Sequence, residues 1–180
     1  MPTIAFTDVH YGTDEALAAC VLVDRWDASA PATEWTCRVA PIAPYEPGAF
    51  FKRELPCLLE VLRRAPPLEV VVIDGYVFLD DAGTKGLGAH LHEALGAVPV
   101  IGLAKTAFKG STFAHAVPRP GSVKPLFLTC IGLSTSTALE HVRQLHGPYR
   151  LPTLVKRVDA LARAHAEPAR ALRGSNTSPA

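Results

Sequence analysis

The sequence predicts a mixed α/β sheet covered by helices, and three observations carry that expectation. Three β-rich segments come before the first helical pattern. Strand-like and amphipathic helical segments then alternate, and the later strand runs are apolar on both faces, as buried strands require. With 180 residues and 48% hydrophobic content, the chain suits one globular domain that encloses a real core.

The elements follow in order. "TIAFTDVHY" and "EALAACVLVDRW" are apolar, β-rich runs separated by "GTD", a hairpin signal. "EWTCRVAPIAP" reads as a third strand ended by prolines. "FFKRELPCLLEVLRRA" has apolar residues at helical spacing, and Pro56 interrupts it unless it lies within the first turn. "LEVVVIDGY" suits a strand buried on both faces that stops at Asp74-Gly75. "LGAHLHEALG" is a short helix, and "VPVIGLAK" and "PLFLTCIG" are two further strands. "KGSTFAHAVPRPGSVKP" is a polar, Pro/Gly-containing loop. "TSTALEHVRQLHG" opens with hydroxyl residues that can cap a helix and ends at Gly147. "LPTLVKRVDALARAHAEPARALR" reads as a last amphipathic helix. The expected domain spans residues 1–167, and residues 168–180 read as a disordered tail.

Composition narrows the function. A net charge of +1 gives no global basic field, so any site for a polyanion must be a local patch. Cys20, Cys37, Cys57 and Cys130 lack CxxC or Cys/His pairing and read as reduced thiols rather than disulfides or zinc ligands. No basic leader precedes the first strand, and no apolar run approaches the roughly 20 residues that cross a bilayer, so a cytoplasmic monomer without a membrane partner is expected.

Three carboxylates stand out locally. Asp8 lies inside the first apolar strand, Glu54 near the start of the first long helix, and Asp74 at the carboxyl end of an aliphatic strand. A carboxylate in such a place must be solvated, paired or bound to a cation. Ligand sites in open α/β sheets gather at strand carboxyl ends, so the three can converge, and an all-oxygen set suits Mg²⁺ or Mn²⁺. Asp8 as a turn-pairing carboxylate and Asp74-Gly75 as simple turn punctuation are the structural alternatives. Lys105 ends an apolar strand, where an ammonium either takes an anionic partner or snorkels to water.

"FTDVHY", "PYEPGAFFKRE", "VVVIDG", "IGLAK" and "YRLP" occur in that order, and together they resemble the endonuclease V family of metal-dependent nucleases. The resemblance runs from about residue 4 to about residue 160. It implies a ribonuclease H-like mixed β-sheet flanked by helices. It also implies Asp8, Glu54 and Asp74 as metal ligands, Lys105 at the scissile phosphate, and Asp159 beside the metal site. Tyr45 would be a wedge that fills the place of an extruded base, made rigid by Pro44, Pro47 and the permissive Gly48. A core tyrosine in a proline-rich turn is the alternative. The implied substrate is DNA carrying a deaminated base, notably hypoxanthine, nicked at the second phosphodiester bond on its 3′ side.

Lys109, Arg119, Lys124, Arg150, Lys156 and Arg157 form either a backbone-phosphate patch or a solvated charged face. The chain departs from the family where "YVFLDDAGTK" follows the "DG" motif in place of small residues and "HPR", with Asp80 or Asp81 near the position of that histidine. It has Gly132-Leu133 where relatives carry glycine-histidine. These changes leave the carboxylates and Lys105 intact and alter the rim. Two other functions therefore stay open: a non-catalytic nucleic-acid-binding module, and a nuclease acting on inosine-containing RNA or branched DNA.

Overall fold

β1 (Ile4–Tyr11) and β2 (Ala16–Val23) pair antiparallel around the Gly12 turn, and β3 (Thr33–Val39) adds to the outer edge of β2. α1 (Phe51–Leu62) then leads into β4 (Val70–Asp74), which lies parallel to β1. The computed structural model describes residues 3–108 and 112–164. α2 (Leu87–Ala94) joins β4 to the parallel β5 (Val100–Ala104). β6 (His115–Val117) and β7 (Leu126–Ile131) close the sheet, and α3 (Thr135–Gln144) and α4 (Thr153–Arg163) follow. The strand order is β3-β2-β1-β4-β5-β7-β6.

The alternation of side chains along the strands divides the interior into two cores. Ile4 and Phe6 of β1, Val70 and Val72 of β4, and Ile101 and Leu103 of β5 pack with α3 and α4 through Val142, Leu154 and Val158. Ala5, Val71, Ile73 and Val100 face the other way, against α1 and α2 through Leu58, Val61 and Leu91. The sheet is thus covered on both faces, as its central aliphatic strands anticipate.

The structure departs from the sequence reading in three places. Pro56 lies in the interior of α1 and not in its first turn. It is tolerated because Lys52, whose carbonyl loses a donor, and Pro56 both lie on the exposed face, where water can bond that carbonyl. The polar loop between β5 and β7 contains β6, whose three residues pair with Leu126–Leu128. Helix α4 ends at Arg163, and the expected tail at 168–180 lies outside the described residues. All four cysteines are free, in keeping with their scattered spacing. Among the described residues no helix is long and apolar enough to cross a membrane.

Candidate active site at the strand carboxyl ends

Because β1, β4 and β5 are parallel, their carboxyl ends open on one side of the sheet. Asp8 has the same parity as Ile4 and Phe6, and Asp74 the same as Val70 and Val72, so both belong to the face that α4 covers. Lys105 directly follows β5. Asp159 projects from α4 into this region, whereas Glu54 arrives from α1 in the opposite layer. The structure brings these five side chains together around one cleft of about 360 Å³, which Tyr11, Phe50 and Arg163 also line.

Burial dominates the electrostatics here, and the charges of neighbouring acids add to it. Burial is the main cause that raises the Asp8 carboxyl to about 7. The Val9 N–H, which donates to Asp8 Oδ1 at 2.9 Å, opposes the rise, and the charges of Asp74 and Asp159 add to it. Glu54 is 7% exposed, and burial followed by the charges of Asp8 and Asp74 pushes it up to about 8. Lys105 Nζ donates to Asp74 Oδ2 at 3.0 Å, and Arg163 Nε donates to Asp159 Oδ1 at the same distance.

Among the described residues no three His, Cys, Asp or Glu side chains close into a metal-ligand cluster in this arrangement. The donor set nonetheless fits a hard divalent cation. It is all oxygen and comes from three separate elements, with Glu54 buried and Asp8 half-buried, and burial with the charges of neighbouring acids raises both carboxyls.

The remaining candidates fall in different places. Tyr45 is 61% exposed at the tip of its loop, with Pro44, Pro47 and Gly48 exposed around it, so the core-tyrosine alternative is excluded. Gly48 adopts φ +78°, the left-handed region that glycine enters at least cost. Lys52 binds Glu46 at 2.7 Å and ties the loop to α1. The Tyr45 ring lies 6.4 Å from Phe50, which in turn lies 6.1 Å from Tyr11, so aromatic contacts lead from the loop tip into the cleft.

The basic patch does not assemble as one surface. Arg119 is only 6% exposed and donates to the carbonyls of Val142 and Gly147, so it braces the interior. Arg157 is paired with Glu34 on β3, and the Lys156 ammonium sits 4.6 Å over the Tyr149 ring. Arg150 donates to Pro125 O at 2.8 Å and to Lys105 O, which ties its side chain to the end of β5. Lys109 lies outside the described residues. Asp80 is engaged with Thr84, and Asp81 accepts from the Thr112 hydroxyl at 2.8 Å.

Sequence reasoning missed two features. Arg53 stacks over Tyr11 at 4.2 Å, and the Tyr11 hydroxyl is buried in the cleft wall without a partner. Beside the carboxylates lies a second recess of about 390 Å³, walled by Phe50, Phe51, Tyr76, Leu79 and Phe108 and sharing Glu54 and Asp74 with the first. The only sequence signal for it is the bulky "YVF" that follows Asp74-Gly75.

A sheet in this order, covered on both faces by helices, has the ribonuclease H-like architecture. Crystal structures support the fold. The Bacillus subtilis endonuclease V superposes with a TM-score of 0.76 at 22% identity, covering 91% of this chain and 80% of that one. The Ciona intestinalis endonuclease V, solved with a 24-mer DNA containing an inosine followed by a ribo-adenosine, superposes with a TM-score of 0.77 at 21% identity, covering 91% and 85%. In sequence, the Streptomyces coelicolor endonuclease V is 35% identical over 87% of this chain and 76% of its own length. The endonuclease V family profile matches residues 1–133. This chain belongs to the endonuclease V family.

Proposed function

We propose that this protein is an endonuclease that hydrolyses the DNA backbone on the 3′ side of a deaminated base, with Mg²⁺ as cofactor and Mn²⁺ as a substitute. The observation that carries the reading is the convergence of Asp8, Glu54, Asp74 and Lys105 on one cleft. A pure binding module gains nothing by aiming three carboxylates at a phosphate. The membership of the endonuclease V family and the inosine-containing DNA in the Ciona intestinalis structure support the choice of lesion.

Asp8, Glu54 and Asp74 would hold the cation, with Asp159 beside it. When bound, such an ion would supply a Lewis acid that polarises the phosphodiester and lowers the pKa of a bound water. Asp8 and Glu54 would bind it as carboxylates, and Asp74, which accepts from Lys105 Nζ at 3.0 Å, would be shared between the ion and that ammonium. Lys105, at the end of β5 beside Asp74, would offer its ammonium to the scissile phosphate as a point charge that meets the negative charge developing there. Tyr45, exposed and framed by prolines, fills the gap in the stack left when the base swings out, and the aromatic recess beside Glu54 and Asp74 receives that base.

The test uses end-labelled single- and double-stranded oligonucleotides with one hypoxanthine, in Mg²⁺, Mn²⁺ or EDTA, with Asp74→Asn in parallel. The expected result is a metal-dependent nick one nucleotide beyond the lesion that the variant does not make. Binding without cleavage in every metal would leave the non-catalytic module as the better reading.

A further inference from the structure

We infer that Phe108, held in place by the Tyr76 hydroxyl, stacks on the extruded base and sets which bases this enzyme accepts. The inference rests on the nuclease reading above and goes beyond it by naming a specificity-determining pair.

Four observations meet at this point. The Tyr76 hydroxyl donates to Thr106 O at 2.6 Å and accepts from the Phe108 N–H at 2.9 Å, so a single side chain pins the backbone on both sides of residue 107. The Tyr76 and Phe108 rings meet edge to face, with centroids 5.7 Å apart and planes 64° apart. Phe108 nevertheless remains 43% exposed, which leaves part of its ring open to a partner. Finally, the recess that Tyr76 and Phe108 wall on one side, and Phe50 and Phe51 elsewhere, also contains Glu54 and Asp74. A group seated there is within the same enclosure as two of the acids proposed to act on the backbone.

An aromatic-walled recess beside a phosphodiester site matches the chemistry of a nucleobase, which is flat, polarizable and hydrogen-bonded only at its edge. The Tyr76 hydroxyl is already engaged as both donor and acceptor and has little capacity left to read that edge. Selection by this wall therefore depends on ring area and ease of extrusion. Purine lesions such as hypoxanthine and xanthine should be preferred over uracil, whose single ring offers less to stack on.

The experiment crosses protein variants with substrate variants, by fluorescence anisotropy in EDTA so that nothing is cut. Wild type, Phe108→Ala, Phe108→Leu, Phe108→Trp and Tyr76→Phe are titrated with oligonucleotides carrying hypoxanthine, uracil, an abasic site or no lesion. If Phe108 stacks on the base, Phe108→Ala weakens hypoxanthine binding by about ten- to a hundred-fold, and abasic binding stays unchanged. Phe108→Trp keeps the affinity, Phe108→Leu loses most of it, and Tyr76→Phe gives a smaller loss of the same kind. Equal losses on hypoxanthine and abasic DNA, or a leucine variant as good as wild type, would overturn the stacking role while leaving the nuclease intact. A wild type that binds hypoxanthine DNA no better than undamaged DNA would overturn the deaminated-base reading, and this inference with it. Because Phe108 is partly exposed, the Ala variant should fold, and its melting curve checks that it does.

Discussion

Glu54 and Asp8 each hold their proton to higher pH in the folded protein than in the unfolded chain. Their ordinary values of 4.5 and 3.8 rise to about 8 and about 7, chiefly through burial. Near pH 4 and below, the folded and unfolded forms both tend to be protonated. Between there and pH 8 the unfolded chain ionises first, so the stability these groups contribute is lost as pH rises. In EDTA, thermal melting should therefore fall progressively from pH 5 to pH 8. Glu54→Gln should flatten that slope and stabilise the protein at pH 8 by about 1–3 kcal/mol, several degrees in Tm, while abolishing cleavage. Calorimetry across pH reads this directly, and a slope unchanged by the substitution would remove Glu54 burial as its cause. Tyr45 behaves in the opposite way. With its side chain largely in water, Tyr45→Ala should leave stability within about 0.5 kcal/mol. Its effect should appear as reduced preference for hypoxanthine-containing over undamaged duplex in a competition cleavage assay.

At the level of elements, β5 is built so that the turn after β4 can lie against it. A Cβ on Gly102 would meet Gly75 O at 2.5 Å and Thr129 Oγ1 at 2.9 Å, and that same hydroxyl accepts from the Val77 N–H at 2.9 Å. Gly102→Ala should destabilise by about 2–4 kcal/mol and displace Asp74 along with its turn, so the loss of activity exceeds what the melting temperature alone would explain. Arg150 acts at the far end of the same strand through the carbonyl of Lys105. Arg150→Met should lower kcat more than it raises KM, as steady-state cleavage would show, because the ammonium loses its fixed base while the DNA contacts remain. These elements also show how far the sequence could be read. The acids were legible because a carboxylate in or beside an aliphatic strand is out of place by its own neighbours, and parallel strands then had to bring Asp8 and Asp74 to one side. Asp159 was legible only through the family resemblance, because an aspartate on an amphipathic helix has nothing in its local sequence to mark it until α4 packs across β1. The roles of Arg119 and Arg157 were not legible. Their partners Gly147 and Glu34 come from remote segments, and local sequence holds no trace of them. Phe108 was hidden for the same reason, since its meaning depends on the Tyr76 hydroxyl.

For the whole molecule, the sheet separates two hydrophobic cores with no buried side chain in common. Asp8, Asp74 and Asp159 belong to the α3/α4 side, and Glu54 belongs to the α1/α2 side. The distance between Glu54 and the other acids therefore depends on how one layer of helices is seated relative to the other. Warming populates local and sub-global openings before global unfolding. Cleavage should accordingly fade several degrees below the unfolding transition seen by circular dichroism, and return on cooling. The protein would then report its own loosening as a reversible loss of turnover, with the carboxylate spacing acting as a gauge of how firmly its two halves are clamped.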